Sequence, residues 1–86
     1  MADIEKGIKE EIIKVGRRLY EAGLAVANSG NISARLGGDS ILITVTGTHL
    51  GTLKDEDIVR VDLESGQCQG AKRPSSEFPL HKLIYK

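Results

Sequence analysis

The sequence predicts an α/β fold in one small domain. Two observations support this prediction: an amphipathic helical pattern precedes three runs of β-prone residues, and a polar turn near the end opens a second helical segment. A chain of 86 residues buries only roughly 60 to 65% of its unfolded surface. With two Tyr, one Phe and no Trp, the core must consist of Ile, Leu and Val. We therefore expect the chain to form part of a larger unit.

The first helix is predicted from the spacing of its apolar residues. They recur at intervals of three or four, with charged residues between them, and are Ile4, Ile8, Ile12, Val15 and Leu19. Asp3 can cap the start of this helix, and Gly23 can take the left-handed conformation that ends it. The apolar stripe needs a sheet or another helix to cover it.

Two strands are predicted after this helix. Residues 28–31 are Asn-Ser-Gly-Asn, which favour a turn, and residues 32–36 alternate with a period of two. A Gly-Gly-Asp-Ser connection leads to residues 41–46, the most β-prone run of the chain. We expect the two strands to pair antiparallel.

The second half of the chain alternates turns with shorter elements. Thr52 can cap a short helical turn that extends to residue 57, and residues 58–63 form a third predicted strand. Residues 68–72 are a weak fourth strand. Ser76 is a plausible N-cap of the last helix, where Pro79 is tolerated in the first turn.

The charge balance and the single cysteine exclude several classes of function. Lys and Arg equal Asp and Glu at 12 each, without a basic run, so the sequence predicts neither nucleic-acid nor membrane binding. Cys68 is the only cysteine, which fits a reducing compartment. The first residues lack the pattern of a signal peptide. We predict a cytoplasmic protein.

Three polar turns lie at ends of predicted elements: residues 29–31, 46–48 and 75–77. They combine glycine, short hydroxyls and a helix start, which together donate the hydrogen bonds that a phosphate group accepts. Each turn alone is more simply explained as an ordinary turn or helix cap. Their joint occurrence makes a phosphate site the more informative hypothesis.

The order and spacing of these segments resemble a known family. The runs Ser-Gly-Asn-Ile-Ser-Ala-Arg at 29–35, Ile-Leu-Ile-Thr-Val-Thr-Gly at 41–47 and Lys-Arg-Pro-Ser-Ser-Glu at 72–77, with His81 after them, are similar to the class II aldolase/adducin family, especially its fuculose-phosphate aldolase branch. The resemblance implies a three-layer α/β/α domain with a mixed, mainly antiparallel sheet. Residues 1–86 would form the N-terminal part of a single such domain.

The resemblance also implies roles for individual residues. The residues that correspond to the pocket for the substrate phosphate are Asn31, Thr46, Gly47, Ser75 and Ser76. Glu77 corresponds to the catalytic acid/base, which also binds the metal in the resting site. The implied reaction is cleavage of a ketose 1-phosphate to dihydroxyacetone phosphate and an aldehyde, dependent on Zn²⁺ or another divalent metal, in a homotetramer.

The sequence leaves the metal site and the reaction open. Family members supply zinc with histidines beyond the position of Lys86, and the histidines here are His49 and His81. Glu77 and His81 share a helix face, but a helix histidine more often packs or bonds a carbonyl. His49 is expected to be exposed or to line the mouth of the site. Alternative functions are a sugar-phosphate epimerase or dehydratase, or a non-catalytic adducin-like binding and assembly module.

Overall fold

A computed structural model describes residues 2–24, 30–69 and 73–85. Its helices and strands are α1 (Ala2–Glu21), β1 (Ser33–Gly37), β2 (Ser40–Thr44), β3 (Ile58–Asp62) and α2 (Phe78–Tyr85). Two 3-10 turns, Leu50–Thr52 and Asp55–Asp57, lie between β2 and β3. Among the residues described here, no helix is both long and apolar enough to cross a membrane.

The three strands form an antiparallel sheet in the order β1-β2-β3. Ile41 of β2 pairs with Arg35 on one side and with Val61 on the other. The predicted hairpin between β1 and β2 is confirmed, with an irregularity between Arg35 and Gly37. The position of β2 at the centre explains why its apolar residues are fully buried.

Alternation along β2 divides the core between the two faces of the sheet. Leu42 belongs to a cluster on the α1 side together with Ile12 and Leu50. Ile41 and Ile43 belong to the opposite cluster, against which Phe78 and Tyr85 of α2 pack. α1 thus packs on one face of the sheet and side chains of α2 pack on the other, which agrees with the α/β/α layering that the family resemblance implies; the described strands are all antiparallel.

Helix α1 packs closely at two positions and leaves apolar side chains exposed elsewhere. Ile12 is buried, and a Cβ atom added to Gly16 would lie 2.5 Å from the carbonyl oxygen of Leu50. Ile4 and Val15 are 55% and 40% exposed although they belong to the predicted stripe. The described part of the protein thus covers only part of that stripe.

Some predicted boundaries differ from those observed. α1 begins at Ala2, so Asp3 lies inside the helix rather than ahead of it. Gly23 has a φ of 76°, which confirms the left-handed end of the helix. Of the weak fourth strand predicted over residues 68–72, the described residues 68 and 69 show an isolated bridge between Cys68 and Val61. Residues 70–72 lie outside the described ranges.

Candidate active site

The buried Thr44 at the end of β2 joins the segments that flank the candidate site. Its backbone N–H donates to the carbonyl oxygen of Ile32 at 3.0 Å, and its Oγ1 accepts from the N–H of Ile32 at 3.2 Å. Its carbonyl oxygen accepts from the N–H of Ser75 at 2.9 Å. Thr44 thus holds the residues next to Asn31 and the start of the last polar turn against the same strand end. Thr44 is not among the site residues predicted from the sequence, although a threonine inside an apolar strand is a signal for such a role.

The turn after β2 is fixed by a second set of bonds. The N–H of Thr46 donates to the carbonyl oxygen of Arg73 at 3.0 Å, and the hydroxyl of Thr48 donates to the carbonyl oxygen of Val45 at 2.8 Å. Gly47 has a φ of 79°, a conformation that side chains with a Cβ rarely adopt. The turn therefore depends on glycine at position 47.

The last polar turn leads into α2. The hydroxyl of Ser75 accepts a hydrogen bond from the N–H of Glu77 at 3.1 Å, and its carbonyl oxygen accepts from the N–H of Phe78 at 3.0 Å. The hydroxyl that caps this turn in the structure is thus that of Ser75, not that of Ser76 as the sequence suggested. Pro79 occupies the first turn of α2, as expected.

These segments enclose one pocket of about 220 Å³. Its lining includes every residue that the sequence analysis assigned to the phosphate and to catalysis, namely Asn31, Thr46, Gly47, Ser75, Ser76 and Glu77. The remaining lining residues are Gly30, Val45 and Thr48. Pockets that hold a drug-sized ligand usually measure about 300–1,000 Å³, so this one suits a single substituent of a substrate. Glycines and residues with short hydroxyl side chains make up most of its lining, and Glu77 is its carboxylate.

His81 of α2 lies beside the pocket and contacts Asn31. One ring nitrogen, Nε2, bonds the side-chain oxygen of Asn31, and the other, Nδ1, lies 2.5 Å from the Ser33 hydroxyl. Burial lowers the pKa of His81, and this effect exceeds the opposing attraction of the Glu77 carboxylate. The ring is therefore neutral near pH 7 and binds neighbouring side chains, which agrees with the packing role predicted for it.

His49 takes a different place from the one expected. Its Nδ1 accepts a hydrogen bond from the N–H of Gly51 at 3.2 Å, and its ring centre lies 4.7 Å from that of Tyr20. It is half-buried and is not part of the pocket lining. The prediction that His49 is exposed or lines the mouth of the site is wrong, because the close packing of α1 on the Leu50 turn draws the ring against Tyr20.

The residues at the pocket do not fit a complete zinc site. A catalytic zinc ion usually has three protein ligands and an open position. Within residues 2–24, 30–69 and 73–85, no group of three His, Cys, Asp or Glu side chains could hold a metal ion. Glu77 is the predicted ligand that the structure places at the pocket, while both nitrogens of His81 already contact Asn31 and Ser33.

Comparison with known proteins defines the class. The sequence model of one protein family, the class II aldolase and adducin N-terminal domain, matches residues 10–86. The chain is 44% identical over 77 residues to a methylthioribulose-1-phosphate dehydratase of Marinobacter nauticus, covering 90% of this chain and 37% of that relative. It is 41% identical over 78 residues to an L-fuculose phosphate aldolase of Methanocaldococcus jannaschii, covering 91% and 41% respectively.

Solved structures agree with this match. The YgbL protein of Klebsiella pneumoniae aligns with a TM-score of 0.85 at 32% identity, over 94% of this chain and 39% of its own. The L-fuculose-1-phosphate aldolase of Thermus thermophilus aligns with a TM-score of 0.74 at 32% identity, over 87% and 38%. The chain belongs to the class II aldolase and adducin family. It spans roughly two fifths of the length of these relatives.

Proposed function

We propose that this chain supplies the phosphate pocket and the acid/base of a sugar-phosphate lyase, and that the reaction is aldol cleavage of a ketose 1-phosphate. The observation that carries the proposal is the convergence of three sequence-distant polar turns on one pocket that also contains Glu77. A lining of glycines and short hydroxyl side chains at the start of a helix complements a phosphate group.

The phosphate would be held by Asn31, Thr46, Gly47, Ser75 and Ser76. Glu77 would act on the carbon next to the carbonyl group, on the side away from the phosphate. In cleavage, the hydroxyl group on the neighbouring carbon loses its proton to solvent and becomes the aldehyde as the carbon–carbon bond breaks. The electron pair of that bond stays on the dihydroxyacetone phosphate part as an enediolate, and Glu77 returns a proton to its carbon. Zn²⁺ or another divalent metal, expected from the family, would stabilise the enediolate when bound. Glu77 is the residue of this pocket that would bind the metal.

Dehydration of a sugar phosphate is the second candidate, and a specific observation favours it. The relatives with 39 to 44% identity include several methylthioribulose-1-phosphate dehydratases. In this reaction Glu77 would remove the proton next to the carbonyl group, and the hydroxyl group on the following carbon would leave as water. The pocket serves both reactions equally, because both begin or end with a proton transfer at a carbon next to a carbonyl.

The two reactions are distinguished by their products. The full chain is incubated with Zn²⁺ and either L-fuculose 1-phosphate or methylthioribulose 1-phosphate. Release of dihydroxyacetone phosphate from the first identifies the aldolase, and loss of water from the second, measured by mass spectrometry, identifies the dehydratase. Binding of inorganic phosphate, measured by calorimetry, tests the pocket independently of turnover. Phosphate binding without either product, by protein that metal analysis shows to hold zinc, would instead support a binding module.

The role of Glu77 is tested with a matched pair of variants. Glu77→Gln removes the acid/base while keeping its shape, so we expect kcat to fall by about 100-fold or more. Glu10→Gln makes the same change on the exposed face of α1 and should leave kcat unchanged. A kcat of Glu77→Gln equal to that of the wild type would refute the assignment of Glu77.

The proposal extends to assembly as a homotetramer. Apolar side chains of α2 support it: Leu80, Leu83 and Ile84 are 53%, 75% and 72% exposed. Exposed apolar groups of this extent commonly mark contact surfaces. Light scattering that gives a monomer at all concentrations tested would contradict this part of the proposal.

A further inference from the structure

A chain of side-chain hydrogen bonds runs from the end of α2 to the pocket. The Tyr85 hydroxyl lies 3.0 Å from the Ser33 hydroxyl, which lies 2.5 Å from Nδ1 of His81. Nε2 of the same ring bonds the side-chain oxygen of Asn31. All three contacts are partly buried and connect residues about 50 positions apart in the sequence. This series of hydrogen bonds ends on Asn31, which lines the pocket.

The far end of this chain is anchored to β1. Arg35 donates a hydrogen bond to the carbonyl oxygen of Tyr85 at 2.7 Å, and its guanidinium carbon lies 5.3 Å from the centre of the Tyr85 ring. Arg35 also donates to the carbonyl oxygen of Gly38 at 2.8 Å. The tyrosine ring is therefore held in place relative to the strand that carries Ser33.

With a neutral imidazole, the donors and acceptors along this series of hydrogen bonds can be arranged in two ways. In the first, Tyr85 donates to Ser33, Ser33 donates to Nδ1, and Nε2–H donates to the Asn31 oxygen. In the second, the Asn31 NH₂ group donates to Nε2, and Nδ1–H donates to Ser33. The first direction leaves the NH₂ group of Asn31 to face the pocket, and the second leaves its carbonyl oxygen there.

We propose that His81 is a positioning residue for the phosphate, which it serves by holding Asn31 with its side-chain NH₂ group toward the pocket. The ring carries its proton on Nε2, and the hydroxyls of Ser33 and Tyr85 supply the donor that Nδ1 accepts. Only this direction presents a donor to an anion. The inference rests on the proposed function, because it requires that the pocket binds phosphate.

Two substitutions at His81 separate positioning from packing. His81→Gln places an amide nitrogen where Nε2 lies, so it can still donate to Asn31. His81→Asn is shorter and places its amide near Nδ1, from where it cannot reach Asn31. We expect the dissociation constant of inorganic phosphate, measured by calorimetry on the full chain, to stay within about threefold for His81→Gln. For His81→Asn it should rise by about tenfold or more, as for the loss of a hydrogen bond to a charged group.

The protonated nitrogen of His81 gives a readout that a purely structural role would not move. Long-range proton–nitrogen correlation spectra of the phosphate-bound protein should show Nε2 protonated and Nδ1 unprotonated. Ser33→Ala removes the donor to Nδ1, so we expect a mixture of the two tautomers and weaker phosphate binding. This variant keeps the test informative should the His81 variants unfold.

Three possible results would overturn different parts of the proposal. Wild-type protein that binds no phosphate would overturn the proposed function and the role of His81 with it. Phosphate binding by the wild type with equal affinity in His81→Asn would overturn the positioning role alone. Protonation of Nδ1 in the phosphate-bound wild type would do the same.

Discussion

The backbone N–H of Ser75 donates a hydrogen bond to the carbonyl oxygen of Thr44 across 2.9 Å. Thr44 also forms two hydrogen bonds with Ile32, the residue that follows Asn31. The end of β2 therefore fixes the distance between two polar turns that are more than 40 residues apart in the sequence. A strand end buried to 1% exposure makes this distance insensitive to movement at the surface.

Replacing Thr44 by Val should destabilise the protein and loosen the pocket. Valine keeps the shape but leaves the N–H of Ile32 without its side-chain acceptor, so we expect the free energy of unfolding to fall by about 1–3 kcal/mol. Denaturant titration measures this loss, and Thr52→Val, at an exposed position, is the control. Phosphate affinity should fall in Thr44→Val only. Unchanged affinity would show that Thr44 does not position the pocket.

Two glycines of α1 should respond oppositely to alanine. A Cβ atom on Gly16 would lie 2.5 Å from the carbonyl oxygen of Leu50, whereas one on Gly7 would meet nothing within 4 Å. Gly16→Ala should therefore lower the free energy of unfolding by about 1–3 kcal/mol through overpacking. Gly7→Ala should raise it by up to about 1 kcal/mol because alanine favours the helix. Thermal melts measure both, and similar shifts would contradict the close packing of α1 on the Leu50 turn.

The turn at Gly47 should couple backbone conformation to phosphate binding. Gly47 and Gly66 have φ angles of 79° and 76° with open space around the Cβ position, so alanine should cost a similar roughly 1–2 kcal/mol at each. Gly47 lines the pocket and Gly66 does not. We therefore expect only Gly47→Ala to weaken phosphate binding in a calorimetric titration. Equal weakening in Gly66→Ala would indicate a global effect.

Stability should depend on pH through His81. Its pKa in the folded protein lies below the ordinary value of 6.5, because burial outweighs the attraction of Glu77. The unfolded chain therefore takes up a proton first as the pH falls, so the stability present above 6.5 is lost as the pH falls through the folded-state pKa. Denaturant titrations between about pH 7 and about pH 5 should show a shallower loss for His81→Gln than for the wild type. Equal slopes would assign the loss to other groups.

Much of the fold follows from local sequence patterns. The three-to-four-residue spacing from Ile4 to Leu19 predicts α1, and the β-prone run at 41–46 predicts the central strand. The Gly-Gly-Asp-Ser connection predicts the hairpin between the central strand and the strand before it. These predictions succeed because side-chain periodicity and turn chemistry act between neighbours in the chain. Element ends were less predictable, as Asp3 shows, since they depend on a few terminal hydrogen bonds.

The candidate site is determined differently. The sequence indicated the chemical types of its residues, and the family resemblance added their order and spacing. Only the tertiary structure places Asn31, Gly47 and Ser75 around one pocket, because the segments that carry them are joined by hydrogen bonds of Thr44 with Ile32 and Ser75 and of Thr46 with Arg73.

The same holds for the two histidines. Their placement against Tyr20 and between Asn31 and Ser33 is a consequence of helix packing across both faces of the sheet. The sequence by itself thus determined the elements and the kind of chemistry, whereas long-range packing decided which side chains meet. Contacts between residues tens of positions apart leave no periodic signal in the chain.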